Sequence, residues 1–348
     1  FISQKNKSIF QEVTHIWCSH EHTDHFDPEF LKILKKDINV ILGAFPSDRL
    51  KNSFKNLGFN NFIELSHLQT INVFEDIQIT MLLEQPSLTE HSSIYIKTPN
   101  LKFFHNADSM FANETINDFK NKIDENIDIF FGQYIDPSSY PSVLNDNYEK
   151  IKKIQNLQNT SIRTNFTDFS NKLNAKYSIP GAGPAIVLSD NSDNTIIDEL
   201  MSPCEILDQE WHFKELKKNL KSCILKPMNI GSEINLDKIE FPPYIFPSNQ
   251  EKRNVIEKSL ASYTSYAAST NIQMPLIELS TKTNEIYELA QKYCPKTLKL
   301  INNIFSVYLT DLDISLVTNL NNRITQTIIF QGNYYCAEKN NLIYQISL

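Results

Sequence analysis

Glycine is scarce in this chain, at seven residues of 348, and the five cysteines include no Cys-x-x-Cys pair. Scattered, unpaired cysteines in a long chain exclude a disulfide framework and lead us to expect reduced thiols in a cytoplasmic protein. Positive charge is also in short supply. Against 41 acidic residues stand 33 Lys and Arg, a formal net charge of -8. That balance excludes a sequence-independent grip on a phosphate backbone, so no nucleic-acid partner is expected. No apolar run is long enough to cross a bilayer, so no membrane span is expected. No apolar stretch follows Lys5 and Lys7, so no secretory leader is expected either. Internal repeats and low-complexity tracts are missing. The abundance of Asn, Ile and Lys reads as nucleotide composition rather than function.

What is present is enough apolar material, 41% of residues, for one large core and a second smaller unit. Short β-branched runs alternate with helix-periodic stretches up to about residue 190. Strands are expected at 13–18 (VTHIWC), 39–42, 62–65, 70–74, 77–83, 92–96, 101–105 and 127–131, and 176–179 leads into a Pro-Gly-Ala-Gly-Pro segment at 180–184. Helices are expected from Pro28, at 46–56, at 110–120 and at 148–157. This alternation predicts a layered α/β domain over 1–195. The polar loop 189–194 (SDNSDN) marks a change of character. Beyond it, helix-like stretches at 211–220, 251–268 and 284–293 precede strand-like runs at 304–309, 314–317, 324–330 and 342–348. Residues 196–348 are therefore expected to form an α+β region of unassigned role.

The residues that carry chemistry come directly after the first strand. His20, His22, Asp24 and His25 form an HxHxDH motif. Side chains at alternate positions of an extended segment face one side, so His20 and His22 can converge on one point while Asp24 and His25 turn toward a neighbouring one. Imidazole and carboxylate suit zinc, iron or manganese. A polar surface loop is the bland alternative, but only eight histidines occur in the whole chain and three of them fall here.

The segment IWCSHEHTDHF resembles the second motif of the metallo-β-lactamase superfamily. That resemblance implies an αββα sandwich, with His20 and His22 on a first metal and Asp24 and His25 on a second. It also implies a third histidine for the first metal and a bridging aspartate about 20 residues later. His91, ahead of one strand, and Asp108, after the next (FFHNADS), fit those places. The segments HEHTDHFDPEFL, FFHNADS, FFGQYIDPSSYP and YSIPGAGPAIVL look like the CMP-N-acetylneuraminate hydroxylase-like branch and, more distantly, ascorbate-6-phosphate lactonase. The resemblance covers about 13–190. Two features depart from the pattern. Only 19 residues precede the motif, where the superfamily has several strands, so the chain is expected to begin mid-domain. The late histidine of the second metal has only His212 (DQEWHF) as a match, and a packing role competes with it.

The expected function is a metal-dependent hydrolase with one or two divalent ions, zinc first, iron or manganese next. A bound divalent metal brings the pKa of water down to about 7, which suits cleavage of an ester, lactone, amide or phosphodiester in a small-molecule substrate. Asp24 and Asp108 are the expected catalytic carboxylates, with Asp108 also a ligand. Tyr134 and Tyr140, in the loop after the 127–131 strand, are expected to touch substrate, and 180–184 to form the cleft rim. His105 stands between a ligand and a supporting role. An iron oxygenase resembling the hydroxylase branch is the alternative, although its Rieske-type cluster needs Cys-x-His and Cys-x-x-His segments and Cys18-Ser19-His20 is the only partial match. A non-catalytic metal-binding protein is the third reading. Oligomeric state is not legible.

Overall fold

The strand β2 (Asn39–Gly43) shows how the layers are built. Val40 and Leu42 point to one face and Ile41 to the other, and all three are buried. A strand that is apolar on both faces belongs inside a stack. In the computed structural model the described residues are 9–84, 90–135, 148–183 and 208–258 (apart from 230, 237, 249 and 256), with four strands between 304 and 346. Strands β1 (His15–Trp17), β2 and β3 (Asn61–Leu65) form a parallel three-stranded sheet. Its outer face packs on two helices, α1 (Pro28–Lys32) and α2 (Arg49–Asn56). The Asp27 carboxylate caps α1 by accepting from the backbone N–H groups of Glu29 and Phe30, and Pro28 occupies its first turn. In α2 the buried pair Leu50 and Phe54 is spaced by four residues, one helical face.

The inner face of that sheet packs on a second one. Strands β4 (Thr70–Phe74), β5 (Ile77–Leu83), β6 (Ser92–Lys97), β7 (Lys102–His105), β8 (Ile129–Gln133), β9 (Tyr177–Gly181) and β10 (Ile224–Leu225) form seven strands in the order 10-9-8-7-6-5-4. Neighbours from β4 to β7 are antiparallel, and those from β7 to β10 are parallel. Ile79, Met81, Leu83 and Ile94 meet Ile41 and Leu65 between the sheets. On the far face lie α3 (Asn113–Ile123) and the end of α4 (Tyr148–Lys172). There Phe119 tilts against Phe104 at 5.0 Å, and Phe166 and Phe169 lie against Phe130 at 5.1 and 5.9 Å. Such aromatic contacts are worth about 1 kcal/mol each beyond area burial. The layering is αββα, as the sequence leads one to expect.

Two expectations change. The helix predicted at 148–157 continues to Lys172. Residues 158–171 are rich in Asn, Thr and Ser, weak helix formers. Yet Phe166, Phe169 and Leu173 are all buried at helical spacing, so tertiary packing overrides propensity. The single boundary expected at 195 also gives way. By contacts the chain forms two units interleaved in sequence, the first being Phe1–Tyr134, Ile162–Gly181 and Leu216–Tyr244. Residues past 195 thus belong to the first unit, because β10 adds a parallel strand to β9. The second unit is Ile135–Ser161, Ala182–Glu215 and Ile245–Leu348. It includes α5 (Gln209–Asn219) up to Glu215, and a four-stranded sheet of β11 (Ile304–Leu309), β12 (Ile314–Asn319), β13 (Ile324–Ile329) and β14 (Ile343–Ile346), in the order 13-12-11-14. Those four strands match the runs expected there. The stretch 284–293 lies outside the described residues, as does most of 251–268.

Candidate metal centre

The loop leaving β1 carries the motif, and three contacts draw it to the start of β6. The Ser92 N–H and hydroxyl both donate to the Ser19 carbonyl, at 3.1 and 3.0 Å, and Trp17 Nε1–H donates to Ser92 Oγ at 3.2 Å. This sets His20 beside His91, their ring centroids 4.1 Å apart. Cys18 ties the loop from inside, its thiol donating to the His20 carbonyl at 3.2 Å. Burial pushes that thiol up to about 12, so it is a structural thiol rather than a ligand. After β7 the chain makes a tight turn in which Ala107 has φ +49, a left-handed conformation that costs a non-glycine residue about 1 kcal/mol. Ser93 Oγ donates to the Asn106 carbonyl at 2.7 Å and Asn106 Nδ2 to the Ser109 carbonyl at 2.7 Å. The turn so held presents Asp108.

Two groups of donor atoms result, His20/His22/His91 and His20/His25/Asp108, with the donors of each within 4.8 Å of one another. That is close to the ~4 Å spanned by two ligand bonds of about 2 Å. The groups share His20. Ser19 Oγ lies 2.9 Å from His20 Nδ1 and 3.2 Å from His25 Nδ1. If His20 Nδ1 donates to this hydroxyl, His20 Nε2 keeps its lone pair, whereas His25 Nε2 donates to the Asp108 carboxylate at 3.1 Å. The Nε2 atoms of His20 and His91 are buried with no hydrogen-bond partner. Leaving such atoms buried and unpaired costs about 1–3 kcal/mol each. A metal ion is the ligand that satisfies several converging imidazole nitrogens at once, so these residues fit one. Beside this group a pocket is walled by Glu21, Arg49, Leu50 and Glu90. The Arg49 guanidinium reaches Glu21 at 3.0 Å.

The electrostatics differ between the groups. Burial, then the neighbouring imidazoles of His91, His25 and His22, push His20 down to about 3, so it is neutral and lone-pair-bearing at ordinary pH. Burial also acts to lower His25, but its 3.1 Å hydrogen bond to Asp108 and the charges of Asp108 and Asp24 raise it on balance. Asp108 is held low against its own burial, chiefly by that bond to His25.

Of the residues singled out from sequence, His20, His22, His25, His91 and Asp108 come together. Asp24 belongs to neither group: its carboxylate is 62% exposed and 3.5 Å from His25 Nε2. His105 is also in neither; its Nδ1 accepts from the Ala107 N–H at 2.9 Å, and burial pushes it down to about 4. Tyr134 is a core residue, 1% exposed, rather than a loop ring facing solvent. Tyr140 lies outside the described residues. His212 is fully buried, in the second unit, and joins no metal-capable group among the described residues. At the supposed rim, Gly181 is required by packing within the sheet, since a Cβ there would stand 2.5 Å from the Phe131 ring. Sequence reading passed over Ser19 and Glu84. A hydroxyl preceding the first histidine, and a carboxylate closing the strand before His91, were the available signals.

No family model matches the chain. A Mycolicibacterium smegmatis protein that goes under the name Rieske 2Fe-2S iron-sulfur protein is 40% identical over 63 residues, which are 18% of this chain and 12% of that protein. Among solved structures, the metallo-β-lactamase fold protein YhfI from Bacillus subtilis aligns with 62% of this chain and 75% of its own, at 14% identity and TM-score 0.38. CmlA, a diiron β-hydroxylase from Streptomyces venezuelae, aligns with 61% of this chain and 43% of its own, at 14% identity and TM-score 0.41.

Proposed function

We propose that the chain is a metal-dependent hydrolase of the metallo-β-lactamase type, acting on a small ester, lactone, amide or phosphodiester. The observation that carries this reading is the pair of donor groups sharing His20, with the His20 and His91 Nε2 atoms buried and unpartnered beside an open pocket. His20, His22 and His91 would hold one ion, and His20 or His25 with Asp108 a second. A divalent metal held there supplies Lewis acidity toward a substrate oxygen and toward water. The chain's own residues do the rest. Asp24, exposed beside His25, would take a proton during bond cleavage. Arg49 and Leu50 offer a charged and an apolar wall for orienting substrate.

Oxidation is a second reading, favoured by the M. smegmatis relative named for a Rieske centre. One experiment separates the two. Protein loaded with zinc, iron or manganese is given a panel of esters, lactones, amides and phosphodiesters, with and without oxygen and a reductase system. Hydrolysis is expected without either addition, and it should be lost on Asp24→Ala. Turnover that demands oxygen and electrons overturns hydrolysis in favour of oxidation, and a chain that takes up no metal under any loading overturns both.

A further inference from the structure

Glu84 is no part of the ligand pattern, yet the β5–β6 hairpin sets it opposite a ligand. The last paired rung of the two strands is Leu83 with Ser92. One step beyond, the Glu84 N–H donates to the His91 carbonyl at 3.0 Å, so the two side chains are cross-strand neighbours. Glu84 Oε2 lies 3.4 Å from His91 Nδ1, with the two side chains 20% and 10% exposed. That oxygen is buried and makes no hydrogen bond in the structure. A buried carboxylate oxygen is costly unless a donor faces it, and the facing atom is His91 Nδ1.

We propose that Glu84 is a positioning residue of the first donor group, its carboxylate selecting the Nδ1–H form of His91. A ring protonated at Nδ1 has its lone pair on Nε2, the atom that is buried and unpartnered. Ser19 faces Nδ1 of His20 in the corresponding way through a neutral hydroxyl. The charge of Glu84 adds basicity to the ring it faces, which strengthens a metal bond. The inference rests on the metal-dependent reading above. The rival is that Glu84 only closes the hairpin, but closure uses its backbone N–H, which any substitution except proline retains.

The test compares the full-length wild type with Glu84→Ala and Glu84→Gln. Zinc affinity is read by competition with a chelating dye. The tautomer of His91 is read in metal-free protein by long-range ¹H–¹⁵N correlation of its ring. Glu84→Ala is expected to weaken zinc binding about 10- to 100-fold and to shift His91 from the Nδ1–H form toward a mixture. Glu84→Gln keeps an oxygen acceptor without the charge, so it should keep the tautomer and lose less affinity. If both alanine readouts match wild type, the proposal is overturned. If the alanine variant does not fold, the glutamine variant decides: unchanged zinc affinity overturns the proposal, and weakened affinity with the Nδ1–H form kept supports it. Wild type that binds no zinc defeats the metal reading instead, and the ring measurement still reports on Glu84.

Discussion

The two donor groups share His20 and differ in how their remaining members are partnered. In His20/His22/His91 the buried Nε2 atoms of His20 and His91 have no hydrogen-bond partner. In His20/His25/Asp108 two members already satisfy one another, His25 being hydrogen-bonded to Asp108 at 3.1 Å. An ion entering the first group displaces no hydrogen bond at the Nε2 atoms of His20 and His91, whereas one entering the second must compete with a charge-assisted hydrogen bond. The first group is therefore expected to bind tightly and the second more weakly.

The largest effect should come from His20→Ala, because both groups use that ring. Wild type loaded with zinc is expected to hold two equivalents by elemental analysis, and the variant none. His91→Ala should remove the tight equivalent and Asp108→Asn the weak one, each by on the order of 100-fold or more in affinity, the upper end of what even supporting residues cost. Retention of the tight equivalent in His20→Ala would break the picture of a shared ligand.

A smaller effect sharpens the comparison through pH in the metal-free protein. His20 is pushed down to about 3 from 6.5. The unfolded chain therefore takes up its proton first, and stability falls as pH drops below 6.5. His25 is raised, so its contribution is fully present below 6.5 and is lost as pH rises through its folded value. The groups thus have opposite pH slopes. Between pH 6.5 and about 5 the His20 contribution should cost about 2 kcal/mol, read as urea midpoints of wild type against His20→Ala. Replacing His25 should tilt the curve the other way. Parallel curves for wild type and both variants would erase the electrostatic distinction.

The smallest effect tests what the groups have in common. Ser19→Ala removes the hydroxyl facing Nδ1 of both His20 and His25. It should weaken both equivalents by about tenfold, the low end for a supporting hydrogen bond to a ligand, measured by isothermal titration. Weakening of one equivalent alone would mean that Ser19 serves a single ring.

The motif was readable because its residues lie within six positions on one loop, where spacing alone fixes which side chains can converge. His91 and Asp108 were readable only through the resemblance to the metallo-β-lactamase superfamily, which implies a histidine and an aspartate at that separation; the hairpin of β6 and β7 accommodates it. The helix extension to Lys172 was not readable, since its polar residues argue against helix until Phe166 and Phe169 find Phe130. Tyr134 looked like a loop aromatic because nothing local marks it as buried.

The sequence by itself determined which chemistry can occur: three imidazoles and a carboxylate after a short strand, in an acidic chain with apolar residues at strand and helix periods. Only the tertiary structure decided which atoms meet. The bonds from Ser92 to Ser19 set His20 against His91 across 70 intervening positions, while the fold leaves Asp24 in solvent, pairs His25 with Asp108 and faces Glu84 toward His91. The physical reason is that ligand geometry depends on distances of a few ångströms between segments far apart in the chain. Those distances are fixed by sheet register and by buried hydrogen bonds, which local patterns do not encode.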